Sequence, residues 1–336
     1  MRACVFEERR RWSIQEVAKP VPHPKEVVIR VKTAGICGTD VHIFLGEYFQ
    51  NFPIIAGHEF SGEVVALGEG VTQFRVGDRV TADPNIFCDH CYFCKINKNN
   101  HCLNFEAVGV TRDGAFAEYV AVPEKCVFPL PPKLSFQEGA LAEPLACAVY
   151  GVERSGIRPG EKVLIFGAGP MGLLLLSLFQ VSGASQVVVV DISEKKLELA
   201  LRRGASEALF SGESTAKRLR EIAPFGFEVV VDATGIPQVM EKALDFVEPD
   251  GTFLLFGVAP RGAKMSVEPY QVFQKDMRIA GSFAVKKTMQ YALNLLGSGA
   301  IEVKDLVSSS YPLEQFGAAF EEMMTSKDRL KIQITF

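Results

Sequence analysis

The sequence predicts an α/β chain in which a doubly wound, mostly parallel sheet is inserted into a β-rich unit. Three observations carry this. From about residue 148, apolar strand-like runs alternate with helix-like runs. Before that point, short β-branched runs are punctuated by Gly and Pro. The last fifty or so residues abandon the alternation, turn helical and mixed, and finish on a strand-like run, KIQITF. Alternating strands and helices build a parallel sheet with crossover helices, and strands covered on both faces read apolar throughout.

In the first stretch the strand-like runs are 27–33 (VVIRVKT), 60–67 (FSGEVVAL) and 79–83 (RVTAD). Gly57, Gly62, Gly68, Gly70, Gly77 and Pro84 break them into a compact unit with irregular loops. In the second stretch the strands are KVLIF, QVVVVD, EALF, EVVVDATG, TFLLFG and RIAGSF. Helix-like runs such as MGLLLLSLFQVSG and SEKKLELALRRG lie between them, and Gly204 and Gly251 mark helix ends. About six such strands fit a doubly wound nucleotide fold. The ending is assigned to the first unit. The expected boundaries are 1–147, 148–284 and 285–336, the first and last forming one domain.

A chain of 336 residues is long enough for two domains of ordinary size. Its apolar fraction of 48% and charged fraction of 23% are those of a soluble globular protein. A net charge of -4 weighs against nucleic acid or an anionic membrane as partner. The opening MRACVFEERRRW has no apolar core, so no secretory signal is expected and a cytoplasmic location is. The uncharged stretch 163–190 has the length of a membrane span. Gly167, Gly169, Pro170, Gly172 and Gly183 interrupt it, so it reads as buried strand, helix and strand.

Four of the eight cysteines fall within fifteen residues: Cys88-x2-Cys91-x2-Cys94-x7-Cys102. Clustering of this kind in a chain without a secretory signal reads as metal binding rather than disulfides. Four thiolates close a tetrahedral zinc site, so the lobe at about 84–104 is expected to hold a structural zinc. With four sulfurs available, His90 and His101 read as solvent-facing.

Gly167-Ala-Gly169-Pro170-Met171-Gly172 follows the strand VLIF and opens an apolar helix. In that context the glycines permit a tight turn, a close backbone approach to a pyrophosphate and close helix packing. The helix N-terminus faces the phosphates. Asp191 ends the next strand about twenty residues on. A carboxylate there accepts hydrogen bonds from ribose hydroxyls and repels a 2'-phosphate, which favours NAD over NADP, although Lys195 and Lys196 follow closely. Asp191 also reads as a helix cap, a role that Ser193 is able to fill.

Cys37, in GICGTDVH, and His58-Glu59, in IIAGHEFSGEV, are isolated soft or borderline ligands at glycine-flanked turns. Taken alone, Cys37 reads equally as a core thiol and His58 as a loop histidine.

GHEFSGEVVALGEGVTQFRVGDRV, the four-cysteine lobe and GAGPMG with Asp191 occur in the order found in the zinc-containing medium-chain dehydrogenase/reductase superfamily, and the chain resembles it over essentially its whole length. The resemblance implies a Rossmann domain inserted in a GroES-like catalytic domain. It implies two zinc ions per subunit, one catalytic and one structural. It places Cys37 and His58 on the catalytic zinc, with Glu59 and the glutamate of AEPLA, Glu143, as further ligands. Cys147, four residues on, reads as a core thiol. A thiolate, a neutral imidazole and one carboxylate neutralise Zn²⁺, and a second carboxylate would make the site negative. Glu59 and Glu143 are therefore expected to alternate, or one to act through water. The resemblance further implies a proton relay through Thr39 and His42.

CGTDVHIFLGEY, FPIIAGHEF, DGAFAEY and EPLACAVYG are similar to the polyol branch, near arabinitol and related sugar-alcohol dehydrogenases. The implied reaction is reversible oxidation of a secondary alcohol of a polyol to a ketone, with hydride transfer to NAD. Phe49, Phe116 and Phe283 are candidates to line the pocket. The Arg-Tyr pair that sorbitol dehydrogenases carry after the last Rossmann strand is replaced by Ala284 and Val285, which points away from sorbitol itself. The rival activity is that of an L-threonine 3-dehydrogenase or another secondary-alcohol dehydrogenase. The rival class is a non-enzymatic zinc- and nucleotide-binding relative, from which the retained Cys37, His58, Glu59 and Glu143 argue away. The resemblance also implies a homo-oligomer, a tetramer or a dimer.

Overall fold

The computed structural model describes residues 1–48 and 51–336. The chain forms two compact units: Met1–Ala146 with Val285–Phe336, and Cys147–Ala284.

The first unit is built on a seven-stranded sheet. Along its main path lie Val127–Pro129, Arg79–Ala82, Glu59–Leu67, Glu26–Ile36, Lys331–Thr335 and Val307–Pro312, and Tyr119–Pro123 also pairs with the long strand Glu26–Ile36. A smaller sheet of Arg11–Glu16, Arg2–Glu8 and Ile54–Ile55 completes the β-rich body. The long strand is central because its apolar run is buried almost throughout, which only a strand flanked on both sides achieves. Lys331–Thr335 runs antiparallel to it, with Ile332 opposite Ile36 and Gln333 opposite Gly35. On the other side Gly35 is opposite Glu59. Residues nearly three hundred positions apart thus share one small area of sheet.

The core of this unit is strongly aromatic. Phe316 stacks on Phe320 at 5.5 Å between ring centroids and meets Trp12, Phe116 and Phe6 edge-on at 5.1, 5.1 and 6.2 Å. Edge-to-face contact suits the ring quadrupole and adds to the burial term.

The second unit holds six parallel strands in the spatial order Glu207–Phe210, Gln186–Asp191, Lys162–Phe166, Phe227–Asp232, Val247–Leu255, Arg278–Gly281. This is the 3-2-1-4-5-6 order of a dinucleotide fold, and the doubly wound reading of the sequence holds. The uncharged stretch 163–190 resolves into the strand Lys162–Phe166, the helix Pro170–Val181 and the strand Gln186–Asp191. Among the described residues, no helix is long and apolar enough to cross a membrane.

Phe316 is fully buried at the hub of the aromatic cluster. Phe316→Ala is expected to destabilise the protein by about 3–5 kcal/mol, read as a lowered urea midpoint. A loss below about 1 kcal/mol, the ordinary effect of a substitution, would remove the cluster from its place at the centre of the unit.

Candidate metal and dinucleotide sites

The lobe cysteines converge. One sulfur from each of Cys88, Cys91, Cys94 and Cys102 lies within 4.8 Å of the other three, and all eight cysteines of the chain are free thiols. A short antiparallel pair, Asn85–Ile86 with Ala107 and Glu106, closes the base of the loop. Backbone amides point at sulfur: Cys88 N donates to Cys102 Sγ at 3.4 Å, Cys91 N to Cys88 Sγ at 3.4 Å and Leu103 N to Cys91 Sγ at 3.5 Å. Such bonds favour the thiolate. The His90 amide leads in drawing the Cys88 thiol down to about 5, and the Leu103 amide leads in lowering Cys91. Four converging sulfurs, with amides already placed for negative charge, fit a closed tetrahedral zinc. His90 and His101 are exposed, as read. His90 Nδ1 pairs with Cys88 O at 2.7 Å, and His101 packs against Phe93.

A second group forms where the end of the strand Glu26–Ile36 meets the start of the strand Glu59–Leu67. Cys37 caps the helix Gly38–Leu45. His58 and Glu59 lie at the start of the strand Glu59–Leu67. One ligand atom from each of the three lies within 4.8 Å of the others. Gly57 adopts φ +92, and a Cβ there would press on Phe116 at 2.7 Å, so only glycine delivers His58 to this turn. Asp40, fully buried, braces the arrangement: Oδ2 accepts from Cys37 N at 2.7 Å and Oδ1 from Gly57 N at 3.2 Å. Its Oδ1 lies 3.5 Å from His58 Nδ1, short of a well-formed hydrogen bond.

The donors fit a cation. His58 Nδ1 and Glu59 Oε2 are buried without a hydrogen-bond partner, and orphaned polar atoms of this kind are costly unless something meets them. Burial disfavours a charged His58, yet Asp40 and Cys37 outweigh it and raise the imidazole well above its usual range, so a metal bound there takes the place of that proton. Thiolate, imidazole and carboxylate together suit zinc.

Glu143 lies outside this three-residue cluster. It is buried in the first turn of the helix Ala142–Ser155. Burial pushes the neighbouring Asp83 carboxyl up to about 7 against hydrogen bonds from Asn85, and the charge of Glu143 adds to the rise. Cys147 is half-buried rather than a core thiol. Thr39 and His42 are half-buried on the helix Gly38–Leu45, and His42 Nδ1 pairs with Glu47 Oε2 at 2.7 Å. Of the phenylalanines expected in a pocket, Phe116 is instead a fully buried core ring, Phe283 is exposed in the second unit, and Phe49 falls outside the described residues.

Two residues of this area have roles that the sequence does not disclose. Asp40 stands in the segment GICGTDVH, but its bracing role depends on the approach of Gly57. Lys331 belongs to KIQITF, where Lys, Gln and Thr alternate with Ile and look solvent-facing. Lys331 is nevertheless buried and ion-paired with Glu59. A buried charged group in a strand flanked on both sides cannot be told by pattern from an exposed one.

In the second unit, Gly167 has φ +106, and a Cβ on Gly172 would collide with Gly167 O, so both glycines are required by backbone geometry. A Cβ on Gly169, by contrast, would meet nothing within 4 Å. Gly169 caps the helix Pro170–Val181 with no side chain, and Pro170 opens the helix. The helix start therefore has open space beside Gly169, as an anion site needs. Asp191 Oδ2 accepts from Ala168 N at 2.6 Å and Oδ1 from Ser193 N at 2.9 Å, which holds the carboxylate against the glycine turn. Ser193 caps the following helix through Lys196 N, which leaves Asp191 out of that role. Turn, open helix end and carboxylate fit a dinucleotide.

Comparison with known proteins agrees with this geometry. Residues 23–132 match the family model of the alcohol dehydrogenase GroES-like domain, and residues 170–298 match that of zinc-binding dehydrogenases. The chain is 35% identical to D-arabinitol dehydrogenase 1 of Uromyces fabae over 99% of its own length and 97% of that protein. It is 34% identical to D-altritol 5-dehydrogenase of Agrobacterium fabrum over 99% of each. A zinc-binding dehydrogenase structure from Sinorhizobium meliloti, solved with NADP, superposes with a TM-score of 0.94 at 33% identity, covering 100% of this chain and 99% of that one. The chain belongs to the zinc-binding alcohol dehydrogenase family of the medium-chain dehydrogenase/reductase superfamily.

Proposed function

We propose that this protein is a polyol dehydrogenase that reversibly oxidises a secondary alcohol of a sugar alcohol to a ketone and passes the hydride to a nicotinamide dinucleotide. The observation that carries the chemistry is the convergence of Cys37, His58 and Glu59 on one point, with buried polar atoms left without partners. The full-length similarity to enzymes named for arabinitol and altritol supports the substrate class. The first unit carries the bond-making residues and the second the dinucleotide. We read the protein as a cytoplasmic homo-oligomer, a tetramer or a dimer.

Cys37 and His58 are the fixed metal ligands, and Glu59 and Glu143 are the carboxylates that alternate at or near the metal. Zinc held there supplies Lewis acidity, lowering the pKa of an alcohol hydroxyl towards neutrality. Asp40 keeps the Cys37 and His58 turns in register. Thr39 and His42 lie three residues apart on one helix face and form the route by which the hydroxyl proton leaves. The pairing of His42 with Glu47, itself exposed, gives that proton a way to water. Gly167, Gly169, Pro170, Met171 and Gly172 receive the pyrophosphate on the helix N-terminus. Asp191 takes the adenosine ribose hydroxyls and favours NAD, while the half-buried Lys196 and exposed Lys195 keep NADP in play. Cys88, Cys91, Cys94 and Cys102 hold a structural zinc.

Three outcomes test these assignments. Cys37→Ala is expected to remove one metal equivalent per chain and abolish NAD reduction with arabinitol, altritol and shorter polyols; retained turnover would sink the catalytic site. Asp191→Ala is expected to weaken NAD by about 10- to 150-fold, the worth of a hydrogen bond to a charged group, with NADP far less affected. Equal losses for the two cofactors in a binding titration would contradict the role of Asp191. Cys102→Ser is expected to remove the other metal equivalent and lower the thermal midpoint while low-temperature turnover survives. An unchanged midpoint would show that the lobe does not brace the fold.

A further inference from the structure

Lys331 is buried in the first unit beside the candidate catalytic metal ligands, and nothing in the reaction scheme above uses it. Its position follows from the sheet. Glu59, Gly35 and Gln333 are cross-strand partners, so their side chains emerge on one face. Lys331 precedes Gln333 by two residues and shares that face. It also precedes Ile332, the partner of Ile36, which sets it alongside Cys37. Glu59 and Lys331 are on strands flanking the central one, and they meet because the residue between them is Gly35. A Cβ on Gly35 would collide with Glu59 Oε2.

The result is a carboxylate with two different ends. Glu59 Oε1 accepts from Lys331 Nζ, while Oε2 is buried with no hydrogen-bond partner, and the same carboxylate contributes an oxygen to the group with Cys37 and His58. Lys331 is 5% exposed and Glu59 1%, so water screens neither. Lys331 also feels the negative charges of Cys37 and Glu143.

We propose that Lys331 is a positioning residue of the catalytic metal centre, holding Glu59 by one oxygen so that its carboxylate stays beside the metal without closing the coordination position the substrate needs. The proposal rests on the reading of Cys37, His58 and Glu59 as a zinc site. In this role Lys331 acts through Glu59. It competes with the metal for Glu59 by holding the carboxylate through Oε1.

The test uses full-length protein carrying Co²⁺ at the Cys37 site and Zn²⁺ in the cysteine lobe. It reads the cobalt d–d spectrum and the rate of metal loss to a chelator. In Lys331→Met the released carboxylate is expected to bind the metal. Four-coordinate cobalt absorbs more strongly than five- or six-coordinate cobalt, so the d–d bands weaken. Metal loss slows by about 10- to 100-fold, the scale of effect that partners of metal ligands exert. Lys331→Arg, which keeps the charge, is expected to return both readings towards wild type. A Lys331→Met spectrum and release rate indistinguishable from wild type would overturn the proposal. Should that variant not fold, the doubly neutral E59Q/K331M is compared with E59Q. Identical readings are expected, because Lys331 acts only through Glu59, and a further change of about tenfold or more would overturn the proposal. Failure of the underlying site is separate: there Cys37→Ala would remove no metal from the otherwise wild-type chain.

Discussion

The antiparallel register of three strands, Glu59–Leu67, Glu26–Ile36 and Lys331–Thr335, is the constraint on which the candidate catalytic site depends. It brings Cys37, Glu59 and Lys331 to the same end of the sheet. A slip of one residue in either pairing would turn the side chains to the opposite face. The aromatic cluster around Phe316 backs the same sheet, so packing and chemistry hold each other in place.

The two candidate metal groups show how one element serves different ends through geometry. In the lobe, the loop surrounds its centre with four sulfurs and directs amides onto them, which leaves no place for a substrate. At Cys37 the donors come from separate strand ends and leave polar atoms unmet. The supporting charges also differ. Around the cysteines they are neutral amide dipoles. Around His58 they are whole charges, those of Asp40, Glu59 and Lys331, buried together. Buried charges are stable only as a balanced set, so a site of this second kind is sensitive to the loss of any single member.

Much of this was legible in the sequence. The six parallel strands were readable because strands covered on both faces leave uninterrupted apolar runs, and the glycine fingerprint because positive φ at Gly167 and close backbone approach at Gly172 admit no other residue. The lobe was readable because its ligands are neighbours in sequence. Other features were hidden, each for a physical reason. Glu143 was named from its motif, but a motif carries no distance: it does not join the three-residue Cys37 cluster, although its charge is felt at Lys331, the partner of Glu59. Phe116 looked like a pocket residue because an aromatic ring serves a core and a pocket equally well; the closeness of Gly57 decides for the core. Lys331 was invisible because alternation of Lys, Gln and Thr with Ile describes a half-exposed strand, and only the neighbours on both sides bury it.

The strand Lys331–Thr335 has one more consequence, for the order in which the protein comes into being. As the chain emerges from the ribosome, the contiguous second unit has all its strands available before residue 285 is made. The first unit is different: its central strand must keep an edge open until the last of its partners is translated. An apolar, unpaired edge is a template for unwanted association. During synthesis, therefore, the catalytic half is the vulnerable one, and it remains so for the whole time that the nucleotide half takes to be built.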